Sequence, residues 1–223
     1  MEKRQPIISF ACGLPRPRWR GHVHTWAFLM ALPAAVVLLF VSNSAVERLG
    51  VGVYGLSLAA VFGVSAAYHR LAESERAQII MRRADHATVF VKIAGTYTPV
   101  CLIALPRNWG IPLLMAVWAI AAVGVAVKVF APRRYLSWAS ALYLAMGWVA
   151  LAGLPVIARN LSATAFTLLV VGGVVYSAGA ILFWLRRPDP FPSIFGYHEV
   201  WHVLTVIAAA AHFGTIVLVT LAA

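Results

Sequence analysis

Two histidines one helical turn apart, His198 and His202, open the last long apolar stretch of the chain. Side chains at i and i+4 project from one helix face, so His198-Glu199-Val200-Trp201-His202 presents two imidazoles together, as zinc-binding helices do. A second element, Ser65-Ala66-Ala67-Tyr68-His69, ends an earlier apolar stretch, and Ser65 and His69 share a face there. A third, Arg83-Ala84-Asp85-His86, opens the stretch that follows. Three imidazoles with an open position make a catalytic-type zinc site, whereas four closed ligands make a structural one. Imidazole also suits Fe, Cu or Ni, so ligand type alone leaves the metal open.

The remaining polar candidates read more plainly. His22 is an interfacial residue, and His24 is either interfacial or a supporting neighbour of the histidine cluster. His86 points away from Asp85 and serves packing. Glu199 projects about 100° from His198 and so misses the face of the pair. His212 lies roughly 21 Å along the helix from His198, too deep to share its ion, and reads as a hydrogen-bonded interior residue. The spacing of fourteen between them could serve two haems, but no partner helix carries a matching pair. Lys92 lies two turns into its apolar stretch, where it either snorkels to the interface or pairs with Asp85.

These residues need elements to carry them, and composition says what kind. Of 223 residues, 62% are hydrophobic and 11% charged, and mean hydropathy is +0.84. A soluble domain carries roughly a quarter charged residues, so the solvent for this chain is lipid. Seven apolar segments fall at about 24–42, 50–69, 85–105, 110–131, 138–157, 164–185 and 198–221, each near the ~20 residues that span a bilayer. No alternating pattern suggests a barrel, so the fold class is all-α, a seven-helix transmembrane bundle. Residues 1–20 form a basic, flexible arm, and residues 21–223 form the membrane domain. The first segment is too long for a signal-peptide core and is retained. Cys12 and Cys101 lie too differently to form a disulfide, and no CxxC spacing occurs.

The net charge of +11 would suggest nucleic acid in a soluble protein. Here Lys and Arg fall between apolar runs, as topological anchors, and no nucleic-acid partner is expected. The arm and the even-numbered connections hold thirteen of them; the odd-numbered connections hold Arg48, Arg107 and Arg159. That asymmetry predicts a cytoplasmic N-terminus, a C-terminus outside and a multi-pass protein of the cell membrane. Parity then places His69, Asp85, His198 and His202 at one depth, near the inner leaflet.

Three blocks carry a family resemblance: Ser65 to His69; Arg83-Ala84-Asp85-His86 with Ile93-Ala94-Gly95-Thr96-Tyr97-Thr98-Pro99; and His198 to His202 extending to His212. They resemble the hemolysin III family, which belongs with the progestin and adiponectin receptors and, more distantly, the alkaline ceramidases. The resemblance covers about residues 20–221. It implies a zinc ion near the inner leaflet on His69, His198 and His202, with Ser65 and Asp85 as the family's Ser and Asp. The first family block survives only at His24, and a Lys at position 92 is unusual for the family.

The leading expectation is a zinc-dependent hydrolase of a lipid amide or related acyl bond, with membrane lipids as partners. Asp85 would act as general base, and Ser65 would stabilise the oxyanion or support a ligand. The alternative is a non-enzymatic sensor or regulator with a structural zinc. A pore-forming cytolysin, which the family name implies, finds little in this sequence: no amphipathic pore-lining helix and no secretion signal. The sequence sets neither the substrate nor the oligomeric state.

Overall fold

The computed structural model of the protein describes residues 15–131 and 136–223, except for the side chains of 136–140. Within them the chain is helical, with no strand among the described residues beyond an isolated bridge between Phe191 and Phe195. Eight α-helices follow in order: α1 (His22–Val41), α2 (Ala45–Leu71), α3 (Glu75–Pro99), α4 (Arg107–Phe130), α5 (Leu136–Gly147), α6 (Leu154–Asn160), α7 (Ala163–Leu185) and α8 (Tyr197–Leu221). A π-helical turn, Val100–Ala104, extends α3, and a 3-10 turn, Val149–Gly153, joins α5 to α6. These elements make seven membrane-length apolar spans, the fifth built from α5, the 3-10 turn and α6.

Two spans begin earlier than their apolar patterns predict, because serine caps start the helices inside charged sequence. Ser44 accepts from the Glu47 N–H, while the Glu47 carboxylate accepts from the Asn43 N–H and the Ser44 hydroxyl. That is a reciprocal capping box, and it starts α2 at Ala45. Ser74 likewise accepts from the Ala77 N–H and starts α3 at Glu75. Most of the charged stretch 70–84 is therefore helix that continues past the apolar region. Of the other expected basic positions, Arg133 and Arg134 lie outside the described residues, as do Lys3, Arg4 and Cys12.

Two breaks re-aim the middle of the bundle. Pro99 offers no N–H to the preceding turn, and the Leu105 N–H bonds instead to the Val100 carbonyl, five residues back, at 3.2 Å. The fifth span loosens between Gly147 and Pro155. There Tyr97 Oη donates to the Gly147 carbonyl and accepts from the Ala150 N–H, each at 2.9 Å. One phenol thus satisfies backbone groups that the helix leaves open.

Sequential helices from α1 to α4 pack side by side, α7 pairs with α8, and α1 packs on α8. The interior holds Tyr54, Leu38, Val51, Ile157 and Ile216 in one cluster and Phe90, Ala94, Val117 and Met146 in another. Outward, Phe40, Phe130 and Trp184 are at least 80% exposed. Large apolar side chains facing out is what a lipid solvent permits. Close approach of α7 to α8 depends on Gly172, where a Cβ would stand 2.3 Å from the His212 ring.

Candidate metal centre

α2 ends, and α8 begins, at the same end of the bundle, and their face-sharing residues meet there. His69 comes from the last turn of α2, and His198 and His202 from the first two turns of α8. The three rings stand 4.8–4.9 Å apart between centroids, and one nitrogen from each lies within 4.8 Å of the others. His69 and His202 are buried. His69 Nε2 and His202 Nδ1 are enclosed without any hydrogen-bond partner. Buried polar atoms are almost always paired, so two orphaned imidazole nitrogens within one histidine cluster ask for a partner. The cluster could therefore hold a metal ion, its three imidazole nitrogens lying close enough for small side-chain shifts to bring them onto one centre.

Aromatic neighbours wall the site. Phe183 of α7 meets His198 edge-on at 5.0 Å, and Phe62 of α2 lies 5.1 Å from His24. His24 is not interfacial. It is buried, its ring lies stacked on that of His202, and its Nε2 bonds Thr205 Oγ1 at 2.9 Å.

The chain before α1 lies across this end. Arg16 donates to the carbonyls of Tyr68, His69 and Ala72 at 3.1, 2.7 and 3.3 Å, and sits over the Tyr68 ring. Burial pulls its guanidinium below the ordinary value, against the pull of Tyr68, which favours the cation. The N–H groups of Arg18 and Trp19 bond the carbonyls of Ser193 and Ile194 in the connection to α8. Arg20 forms an ion pair with Glu199, a side chain with no exposed surface, which also accepts from the Gly196 N–H at 2.8 Å. Residues 15–20 thus tie the end of α2 to the start of α8, the two helices that supply the histidines. Gly21 follows with φ of +83°, and a Cβ there would stand 2.8 Å from His69 Cβ.

Ser65 and Asp85 also meet. Their side chains neighbour each other across α2 and α3, and Ser65 lies one turn before His69 on α2. Asp85 is not one of the three residues whose ligand atoms converge. The His86 carbonyl accepts from Tyr143 Oη at 2.9 Å. His212 lies in the interior as expected, with Nε2 on the Leu169 carbonyl at 3.3 Å. Lys92 neither snorkels nor pairs with Asp85. It is 3% exposed, and its Nζ donates to Thr96 Oγ1 at 2.6 Å and lies 4.6 Å from the Tyr54 ring centroid. The local i, i+4 threonine and the aromatic face capture the ammonium inside the bundle.

Fold and site together define a multi-pass membrane protein with a three-histidine centre at one end of a seven-helix bundle. The profile of the haemolysin-III related family matches residues 12–213, and the chain belongs to that family. It is 32% identical over 193 residues to the hemolysin-3 homolog of Bacillus subtilis (strain 168), covering 85% of this chain and 87% of that one. Against hemolysin-3 of Bacillus cereus the identity is 30% over 193 residues, covering 85% of each. The heptahelical transmembrane protein ADIPOR2 of Oryza sativa subsp. japonica is 28% identical over 169 residues, covering 67% of this chain and 72% of that one. These matches bear out the resemblance read from the three sequence blocks.

Proposed function

We propose that the protein is a zinc-dependent hydrolase acting on an amide or related acyl bond of a membrane lipid. The observation that carries this reading is the cluster of His69, His198 and His202, with unpartnered nitrogens on His69 and His202 and with Ser65 one helical turn from His69. The arginine asymmetry supports placing this end of the bundle at the cytoplasmic face, within reach of inner-leaflet lipids. When bound, zinc supplies Lewis-acid polarisation of a carbonyl and a water acidic enough to react near neutral pH. The three imidazoles would hold it, with Phe183 edge-on to His198. Asp85 would take the proton from the attacking water and return it to the departing amine as the C–N bond breaks. The Ser65 hydroxyl would orient the Asp85 carboxylate, or turn to the developing oxyanion.

The test pairs metal analysis with lipid turnover on purified protein. Each of H69A, H198A and H202A is expected to lose near-stoichiometric zinc. D85A is expected to keep zinc and lose turnover of N-acyl and ester lipids, by at least about a hundredfold for a general base. A protein that binds zinc fully yet turns over none of these lipids ends the enzymatic reading. It leaves the alternative, in which the ion ties α2 to α8 in a non-enzymatic sensor or regulator.

A further inference from the structure

The end of the bundle that holds the histidines also carries a folded platform outside the helices. Two segments build it: the strap of residues 15–20 and the connection of residues 186–196 between α7 and α8. Five prolines, Pro15, Pro17, Pro188, Pro190 and Pro192, limit the backbone freedom of both. Hydrogen bonds fix the rest. The N–H groups of Ile194 and Phe195 bond the Phe191 carbonyl at 2.9 and 2.7 Å, which closes a tight turn. The strap holds that turn through its Arg18 and Trp19 N–H groups, 3.2 and 3.0 Å from the Ser193 and Ile194 carbonyls. At the start of the connection the Arg187 N–H returns to the Leu182 carbonyl of α7 at 3.0 Å.

The platform presents both apolar rings and unspent positive charge. Trp19, Phe191 and Ile194 are exposed, as are Trp184 and Leu185 where α7 ends. Arg16, Arg18, Arg20, Arg186 and Arg187 stand against two carboxylates, Asp189 and Glu199. Both carboxylates are engaged within the protein: Glu199 with Arg20 and the Gly196 N–H, Asp189 with the Tyr197 N–H at 3.0 Å. Arg16 is engaged by the carbonyls at the end of α2. Arg18, Arg186 and Arg187 remain, all exposed, with no side-chain hydrogen bond or ion pair among the described residues. Their depth follows from position. Trp184 and Leu185 end a 23-residue span, and a tryptophan at a span end marks the headgroup layer. Arg186 and Arg187 come next, within reach of lipid phosphates. Keeping a loop on one side of a membrane needs positive charge, but neither a fixed backbone nor outward rings.

We propose that this platform is a docking surface for anionic phospholipids of the adjoining leaflet. Arg18, Arg186 and Arg187 receive the headgroup phosphates, for which a guanidinium is the better-matched cation. Trp19, Phe191 and Ile194 enter between the headgroups. The unspent charge selects a negative lipid over a zwitterionic one, and the rings select a lipid over a soluble phosphate. Because the strap forms part of the surface, bound lipid also holds the strap on the connection. The surface needs neither the metal nor hydrolysis.

Purified full-length protein in nanodiscs of mixed phosphatidylglycerol and phosphatidylcholine tests this, with the lipids it retains in detergent counted by native mass spectrometry. Wild type is expected to enrich phosphatidylglycerol over phosphatidylcholine by about fivefold or more, the effect of one arginine at an anionic surface. R186Q/R187Q is expected to lose most of that enrichment. R107Q/R159Q, at the opposite end of the bundle, is expected to keep it. Amide exchange is the second readout: at Arg18, Trp19 and Ile194 it should slow severalfold when phosphatidylglycerol is added to the disc, and R186Q/R187Q should lose this slowing. Equal loss of enrichment in the two double variants would mean attraction by charge anywhere on the protein, and it overturns the proposal. So does exchange at Arg18 and Trp19 that ignores phosphatidylglycerol. Enrichment abolished by soluble glycerol phosphate at constant ionic strength would put a water-borne anion on the arginines and overturns it too. If R186Q/R187Q does not fold, unchanged enrichment in R18Q overturns it in the same way.

Discussion

The imidazole of His24 lies flat on that of His202, with centroids 3.8 Å apart and planes within 10° of parallel. Thr205 fixes the arrangement. Its hydroxyl donates to the His202 carbonyl at 2.8 Å, so its oxygen accepts from His24 Nε2–H at 2.9 Å. A ring anchored at one nitrogen and pressed on a ligand's face restricts the orientation of that ligand, as outer partners of metal-binding histidines do. His24→Ala is therefore expected to weaken metal binding by about tenfold in a chelator competition. His24→Phe, which keeps the ring but not the Thr205 bond, should fall between. Equal affinity in all three proteins would mean that His24 merely fills space.

The Arg20–Glu199 pair gives a second expectation. Glu199 has no exposed surface, whereas the Arg20 side chain is 17% exposed. Removing the arginine strands a buried carboxylate, which costs about 3–5 kcal/mol when the pair is fully desolvated. Glu199→Gln keeps an oxygen for the Gly196 N–H and leaves a cation that can reach water, so it should cost less. In thermal unfolding, Arg20→Met is expected to lower the midpoint more than Glu199→Gln does. The double variant should recover part of the loss. Strict additivity would show that the two side chains do not depend on each other.

The convergence of His69, His198 and His202 was legible in the sequence because it follows from parity: even and odd spans return their ends to fixed sides. Asp85 was legible at the same depth as the histidines, and Ser65 as a neighbour of His69 one turn away. What escaped the sequence is rotation. α1 is apolar on every side, so no stripe in its pattern turns His24 toward α8 rather than toward lipid. Lys92 escaped for a related reason: the Thr96 four residues on and the Tyr54 of another helix are ordinary residues until packing puts them around an ammonium. The clamp formed by Arg16, Arg20 and Glu199 carried one sequence signal, a glutamate at the third position of α8, which marks a helix start. Its partner twenty residues from the N-terminus carried none.

Tyr97 offers a test of how the fifth span is held. Its phenol serves both the Gly147 carbonyl and the Ala150 N–H, where the span changes from α-helix to 3-10 turn. Tyr97→Phe keeps the ring and leaves the N–H unpartnered in an apolar setting, which costs about 1–3 kcal/mol. The loss should appear as faster amide exchange at Ala150 and its neighbours, with the metal retained. Unchanged exchange there would mean that the break is held by the chain itself.

Gly21 joins the strap to α1 in a backbone conformation that L side chains avoid, φ of +83°, and in contact with a metal-site residue. A Cβ would stand 2.8 Å from His69 Cβ and 2.9 Å from Arg70 Cγ. Real Cβ atoms do not come that close, so His69 or the strap must move. Gly21→Ala should destabilise the protein by at least the roughly 1–2 kcal/mol of the left-handed penalty, and it should also weaken metal binding, because the displaced residue is one of the proposed ligands. Gly147→Ala is the control, since its added Cβ meets nothing within 4 Å. The expected pattern is reduced metal affinity and a lower unfolding midpoint in Gly21→Ala, with the metal affinity of Gly147→Ala near wild type. If Gly21→Ala lost stability but bound metal unchanged, the strap would yield instead of His69, and the coupling between them would be mechanical only.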